Sequence, residues 1–205
     1  MLKLRKALYG LVEAPKLWYD TLRTDLLKMD FKVTKSEPCF FVMNKERGGR
    51  QQIVIMGIFV DDILCFGACS EMVKEVKAKL STRFKVKDLG DARWVLGMRV
   101  QQLQGKITID QENYKNDILN RFEDEIKDAM RSKPKTPLPA KLDLRKAQDH
   151  EALTEKPYRE LIDSLAHLMT GTRPDIAYAV SWLSRHLAKP AERHWAAAVH
   201  VLKCL

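Results

Sequence analysis

Two apolar runs, Ile53 to Val60 and Ile63 to Phe66, are rich in β-branched and aromatic residues and short enough for strands. They predict a hairpin with Asp61 and Asp62 at or beside its turn. Upstream, Pro15 suits an early helical position, and Trp18, Leu22 and Leu26 recur at four-residue spacing, which predicts a helix ending before Phe31. A loop is expected between that helix and the hairpin. Downstream, Ser70 is the expected cap of a helix with Val73, Val76, Leu80 and Phe84 as its buried stripe.

A second hairpin is predicted from Trp94 to Asp110, with Trp94 to Val100 as one strand and Gln104-Gly105 as the turn. Ile107 and Ile109 are its inward residues, opposite Thr108 and Asp110. Tyr114, Ile118 and Phe122 mark another amphipathic helix. Residues 131–146 hold Pro134, Pro137 and Pro139, with six basic residues against the single acid Asp143, and predict an extended linker. Beyond it the period is helical throughout: Leu161, Leu165 and Met169; then Ile176, Val180, Leu183 and Leu187; then Trp195, Val199 and Leu202. Pro157, Pro174 and Pro190 sit near the three starts, and Thr172 is the expected cap of the middle helix. The last helix is still in register at Leu205, so it is expected to continue further. The fold class is therefore α+β: an antiparallel sheet with packed helices over residues 1–130, a basic linker over 131–150, and an all-helical region over 151–205.

Composition narrows the functional classes. The 205 residues are 45% apolar and 31% charged, a globular balance. A net charge of +9 favours polyanionic partners, nucleic acid before anionic membrane. No apolar run reaches the roughly twenty residues of a membrane span, and residues 1–6 lack the apolar core of a signal peptide. Cys39, Cys65, Cys69 and Cys204 are too scattered for a disulfide framework and suggest a reducing compartment. Cys65 and Cys69 have no matching pair nearby, so no zinc site is assigned.

Adjacent carboxylates on a hairpin tip repel one another unless a cation offsets them, and a hard divalent ion such as Mg²⁺ suits oxygen ligands. The competing reading is an ordinary turn, since Asp bonds readily to nearby backbone. Trp18, Trp94, Trp182 and Trp195 lie on apolar stripes or strands and are assigned to packing ahead of base stacking. The basic linker either tracks phosphates or is simply solvated. The five histidines complete no metal-ligand cluster, and Gly10 and Gly97 are read as permitting close backbone approach or a bulge.

The stretch KALYGLVEAPKLWY (residues 6–19), followed by Phe59-Val60-Asp61-Asp62, resembles the reverse transcriptase of copia-type (Ty1/copia) retrotransposons. FKVKDLG (84–90), WVLGMRV (94–100), YRELIDSL (158–165), TRPDIAYAV (172–180) and His194-Trp195 resemble the same family in the same order. The resemblance implies a polymerase palm, with a primer-support hairpin, followed by a thumb and connection region. It makes Asp61 and Asp62 the catalytic, metal-binding carboxylates. Tyr9, Gly10, Glu13 and Phe59 would lie near nucleotide and template, and Trp94, Leu96 and Gly97 would support the primer end.

The implied activity is RNA-directed DNA synthesis by two-metal nucleotidyl transfer, with Mg²⁺ or alternatively Mn²⁺. The implied partners are RNA template, DNA primer and dNTPs, with integrase and RNase H as polyprotein neighbours and no membrane. The implied location is intracellular, in a cytoplasmic virus-like particle or the nucleus. The family takes a third carboxylate from an Asp upstream of the Tyr-Gly-Leu motif, and no acid precedes Glu13 here. The fingers and first palm strand are therefore expected to be missing, the C-terminal region to stop short of any RNase H domain, and this piece alone to be inactive. Val12-Glu13 stands where the family usually has Lys-Gln, and Asp163 where it usually has Gly. An alternative reading is a catalytically inactive nucleic-acid-binding remnant or a domesticated interaction module.

Overall fold

The computed structural model describes residues 7, 8, 10–127, 134–139, 142, 145–148 and 151–205. They fall into two compact units, residues 1–90 and 91–205. In the first, helix α1 (Ala14–Lys28) carries Pro15 in its first turn, where a missing N–H costs nothing. It ends in a Schellman arrangement: Phe31 N–H bonds Leu26 O and Asp30 N–H bonds Leu27 O. Asp30 takes the left-handed position (φ 70°) that glycine usually fills. Leu22, Leu26 and Phe31 are thereby turned into the core.

Four antiparallel strands follow in sequence order: β1 (Lys32–Val33), β2 (Phe40–Arg47), β3 (Arg50–Phe59) and β4 (Asp62–Gly67). The expected Asp-Asp hairpin is β3–β4. The expected loop before it instead contains β1 and β2. Their alternation is short and runs out into charged residues, so the strands show only when Phe41 and Met43 are seen against Met56 and Val54. Gly48 and Gly49, both left-handed, form the tight β2–β3 turn. Phe41, Met43, Val54, Met56 and Ile58 share the buried face, clustered with Leu22 and Leu26 of α1 and with Met72, Val76 and Leu80 of α2 (Ser70–Arg83).

Ser70 does not cap α2. Cys69 keeps the extended backbone of the chain leaving β4, so Ser70 is already helical. The buried stripe is Met72, Val76 and Leu80, with Val73 half-buried and Phe84 past the helix end in extended backbone. Gly67 makes this packing fit, because a Cβ there would stand 2.8 Å from Val73 Cγ2.

The second unit opens with a three-stranded meander, β5 (Trp94–Val95), β6 (Met98–Leu103) and β7 (Lys106–Asp110). Trp94 to Val100 is thus not one strand: Leu96 (φ 50°) and Gly97 (φ 78°) reverse the chain in a two-residue left-handed turn. Gly97 is needed for that dihedral rather than for close approach, since a Cβ there would meet nothing within 4 Å, and the same holds at Gly10 (φ 93°). Gln104-Gly105 turns as expected. Ile107 and Ile109 are exposed (67% and 54%), on the sheet face they share with the half-buried Val95, Met98 and Val100.

Five helices follow among the described residues: α3 (Glu112–Arg121), α4 (Glu123–Ile126), α5 (Tyr158–Gly171), α6 (Ala177–Leu183) and α7 (Glu192–Lys203). Their core gathers Ile118, Phe122, Leu161, Leu165, Ile176, Val180, Leu183, Val199 and Leu202, with Met169 and Leu187 packed at its margin. The predicted middle helix is broken: 3-10 turns at Pro174–Ile176 and Ser184–His186 flank α6. Thr172 closes α5 instead of capping α6, and its hydroxyl donates to Gln111 Oε1. The described residues of 134–148 form neither helix nor strand. Leu138 and Leu142 pack on the helical core, and the Arg145 and Lys146 carbonyls accept from Arg193 of α7. Arg131, Lys133, Lys141, Asp143 and His150 lie outside the described residues. The architecture is α+β with helices at the C-terminal end, and no helix among the described residues is long and apolar enough to cross a membrane.

Candidate functional site

The β3–β4 hairpin pairs Ile58 with Ile63 and Phe59 with Asp62, leaving Val60 and Asp61 as a two-residue turn. Val60 is left-handed at φ 51°, a conformation a β-branched residue rarely adopts. Its carbonyl accepts a 2.8 Å hydrogen bond from the Trp18 indole N–H on α1. Trp18 is half-buried and meets Phe84 edge-on, with ring centroids 5.3 Å apart at 82°. The sequence reading placed Trp18 in the packing but missed the polar end of its ring, because its partner is 42 residues away. The signal that could have raised the question is a Trp on the half-exposed shoulder of an amphipathic helix, where the indole N–H needs an acceptor.

Asp61 and Asp62 are exposed, and their carboxylates have neither hydrogen-bond nor ion-pair partner among the described residues. By strand alternation Asp62 shares a face with Leu64 and Phe66, the side opposite α1 and α2. Two adjacent, unpaired, hard oxygen donors suit a divalent cation in kind. They do not suffice in number: no group of three or more His, Cys, Asp or Glu side chains gathers anywhere among the described residues. By themselves the two carboxylates offer only part of a metal shell, and no chemical step through a metal can be built from these residues.

The other expected site residues are dispersed. Phe59 is exposed beside the turn, paired with Asp62. Glu13 is the exposed N-cap of α1, without a side-chain capping bond. Trp18 lies about 7.5 Å further along the same helix axis. Gly10 turns the chain just before α1, and Tyr9 lies outside the described residues. In the other unit Trp94 (55% exposed) stands on β5, opposite Arg99, and Leu96 and Gly97 form the turn that follows. Of the four tryptophans only Trp195 is fully in a core. Trp182 is half-buried, stacked with Tyr178 and covered by the Arg185 guanidinium at 4.3 Å. His186 and His194 are buried and stack at 4.0 Å, and the His194 ring accepts the Ala191 N–H at the start of α7.

The β3–β4 hairpin, which closes one edge of its antiparallel sheet, thus carries two adjacent carboxylates without a partner among the described residues, beside an open sheet face. Residues 1–134 match the family of reverse transcriptases (RNA-dependent DNA polymerases). The Retrovirus-related Pol polyprotein from transposon TNT 1-94 of Nicotiana tabacum is 35% identical over 99% of this chain and 15% of its own length. That from transposon RE1 of Arabidopsis thaliana is 37% identical over 99% of this chain and 13% of its own. The putative transposon Ty5-1 protein of Saccharomyces cerevisiae is 28% identical over 97% of this chain and 62% of its own. The chain belongs to the reverse transcriptase family, in its copia-type (Ty1/copia) branch, and spans about a seventh of the plant Pol polyproteins it matches. No solved structure matches it.

Proposed function

We propose that the chain is a palm and thumb portion of an RNA-directed DNA polymerase, and that Asp61 and Asp62 supply two of the carboxylates that hold its catalytic divalent cations, Mg²⁺ or Mn²⁺. The observation that carries this reading is the unpaired pair itself, exposed on a held turn at the edge of an open sheet face. The ions, when bound, would activate the primer 3′-hydroxyl and steady the leaving pyrophosphate. The protein's own contribution is to hold two carboxylates side by side and to keep the face beside Asp62 free for nucleic acid. Among the described residues β4 pairs only with β3. Its other edge could take a further strand, which would be the natural bearer of a third carboxylate.

Within this reading Tyr9, Gly10, Glu13 and Phe59 lie near nucleotide and template, and Trp94, Leu96 and Gly97 support the primer end. Residues 1–130 serve as palm, 131–150 as linker and 151–205 as thumb and connection, within a polyprotein that also supplies integrase and RNase H. Template RNA, primer DNA and dNTPs are the ligands, and the work takes place inside the cell.

Mn²⁺ titration of the 205-residue chain, followed by the resonance of the free ion, tests the assignment. Asp61→Asn/Asp62→Asn should weaken binding by about tenfold or more, roughly 1.4 kcal/mol. Equal binding by both proteins would sink it. The chain by itself should leave an oligo(dT) primer on poly(rA) unextended, and extension that Asp61→Asn abolishes would overturn that part. The incomplete acidic cluster also favours a second reading, a nucleic-acid-binding remnant or domesticated module without catalysis. That reading requires RNA·DNA hybrid binding that weakens with salt and is indifferent to Mg²⁺ and to Asp61→Asn.

A further inference from the structure

We infer that Trp18 is a positioning residue for the Asp61-Asp62 turn: its indole N–H, bonded to the Val60 carbonyl, holds a strained backbone conformation that fixes where the two carboxylates stand. The inference rests on the reading of that pair given above. Val60 at φ 51° is strained by about 1–3 kcal/mol, a conformation that persists only where its surroundings determine it. Val60 is 53% exposed, so packing of its side chain contributes little to holding it. What holds the turn is the strand pairing on either side and the 2.8 Å bond from Trp18.

The donor is itself well fixed. Trp18 stands on α1, against the core formed with α2 and the covered face of the sheet, and the edge-on contact with Phe84 sets the ring's orientation. Phe84 is anchored in turn by its N–H bond to Leu80 O at the end of α2. Support therefore reaches the turn from two helices, while Asp62 lies on the opposite, open side. Asp61 and Asp62 are the next two residues after Val60. A change in the Val60 dihedrals swings both carboxylates together, and a displacement of about 1 Å at a reacting centre can cost on the order of a hundredfold in rate.

The 205-residue chain allows a direct test with Trp18→Phe, which keeps an aromatic ring at position 18 while removing the N–H together with the second ring of the indole. Trp18→Phe should weaken Mn²⁺ binding about tenfold and speed amide hydrogen exchange at residues 60–62 by a similar factor, with little change in melting temperature. In a Val60→Gly background, where glycine adopts φ > 0 without strain, the same substitution should change affinity less than twofold. An equal loss in both backgrounds would overturn the inference. So would wild-type affinity and exchange in Trp18→Phe while Asp61→Asn/Asp62→Asn loses the ion, a result that leaves the carboxylate assignment standing. If the double Asn variant binds Mn²⁺ like the wild type, the assignment fails and the exchange rates alone decide the role of Trp18. Should Trp18→Phe fold poorly, benzothienylalanine at position 18 keeps the indole shape without its N–H and serves the same comparison.

Discussion

Asp25 sits on α1 with only 8% of its surface exposed, and its carboxylate accepts from Arg83 Nε at 2.9 Å and Lys28 Nζ at 3.3 Å. The hydrogen bond from Arg83 is the main reason its carboxyl is held below the ordinary Asp range, with Lys28 adding to it. A folded-state pKa below the unfolded one gives stability that is present above the ordinary carboxylate pKa and lost as pH falls through the folded value. Asp25→Asn should therefore lower the melting temperature at pH 7, and the gap from wild type should narrow towards pH 3. Equal gaps at both values would show that the carboxylate's charge is not what stabilises the pair. From the sequence Asp25 could be placed on a helix and no more, since Arg83 is 58 residues away. Trp18 and Val60 are the same case at the Asp61-Asp62 turn: residue types readable in sequence, a bond that only folding creates.

Helix boundaries behaved the same way at the level of elements. Ile176, Val180, Leu183 and Leu187 keep one period, so sequence reads one helix, yet α6 ends at Leu183. There the buried Tyr158 hydroxyl of α5 donates to Leu183 O at 2.9 Å, and Ser184 Oγ donates back to Val180 O. Side chains thus satisfy carbonyls at the end of the helix, and the chain tightens into a 3-10 turn. Burial pushes the Tyr158 phenol well above its ordinary pKa, so it stays protonated and remains a donor. Tyr158→Phe should cost about 1–2 kcal/mol by leaving a buried carbonyl unpaired, read by calorimetry. A loss below a few tenths of a kcal/mol would mean that the bond does not join α5 to α6. The left-handed turn at Leu96-Gly97 is a further boundary that apolar pattern conceals, because Trp94, Val95, Leu96, Met98 and Val100 look like one continuous strand.

Across the whole molecule the most exposed chemistry is apolar as well as charged. The uncovered face of the four-stranded sheet presents Phe40, Ile53, Ile55, Phe59 and Phe66, all exposed and on the same side of β2, β3 and β4, with Ile55 directly opposite Phe66. A contiguous apolar face of this kind promotes association when nothing covers it. The purified chain is expected to self-associate with rising concentration in light scattering, and Ile53→Ser/Phe66→Ser should reduce that without lowering the melting temperature by more than a few degrees. Unchanged association in the double variant would assign it to another surface, such as the face bearing Ile107 and Ile109. The net charge of +9 acts in the opposite sense between copies of the chain, and higher salt should therefore strengthen association while weakening the proposed binding to nucleic acid.

What the sequence determined by itself was local or combinatorial: the α+β class, the β3–β4 hairpin with its two carboxylates, most helical stripes, and the family, because motif order and hydrophobic period are written along the chain. Tertiary structure decided the rest. It placed β1 and β2 where a loop was expected, turned Ile107 and Ile109 outward, broke α6, and joined Trp18 to the carbonyl of a strained Val60. Each of these depends on which distant groups meet, and an acceptor 42 residues from its donor leaves no trace in periodicity. The pair Asp61-Asp62 could be found by reading; the indole that holds it in place could be found only in the fold.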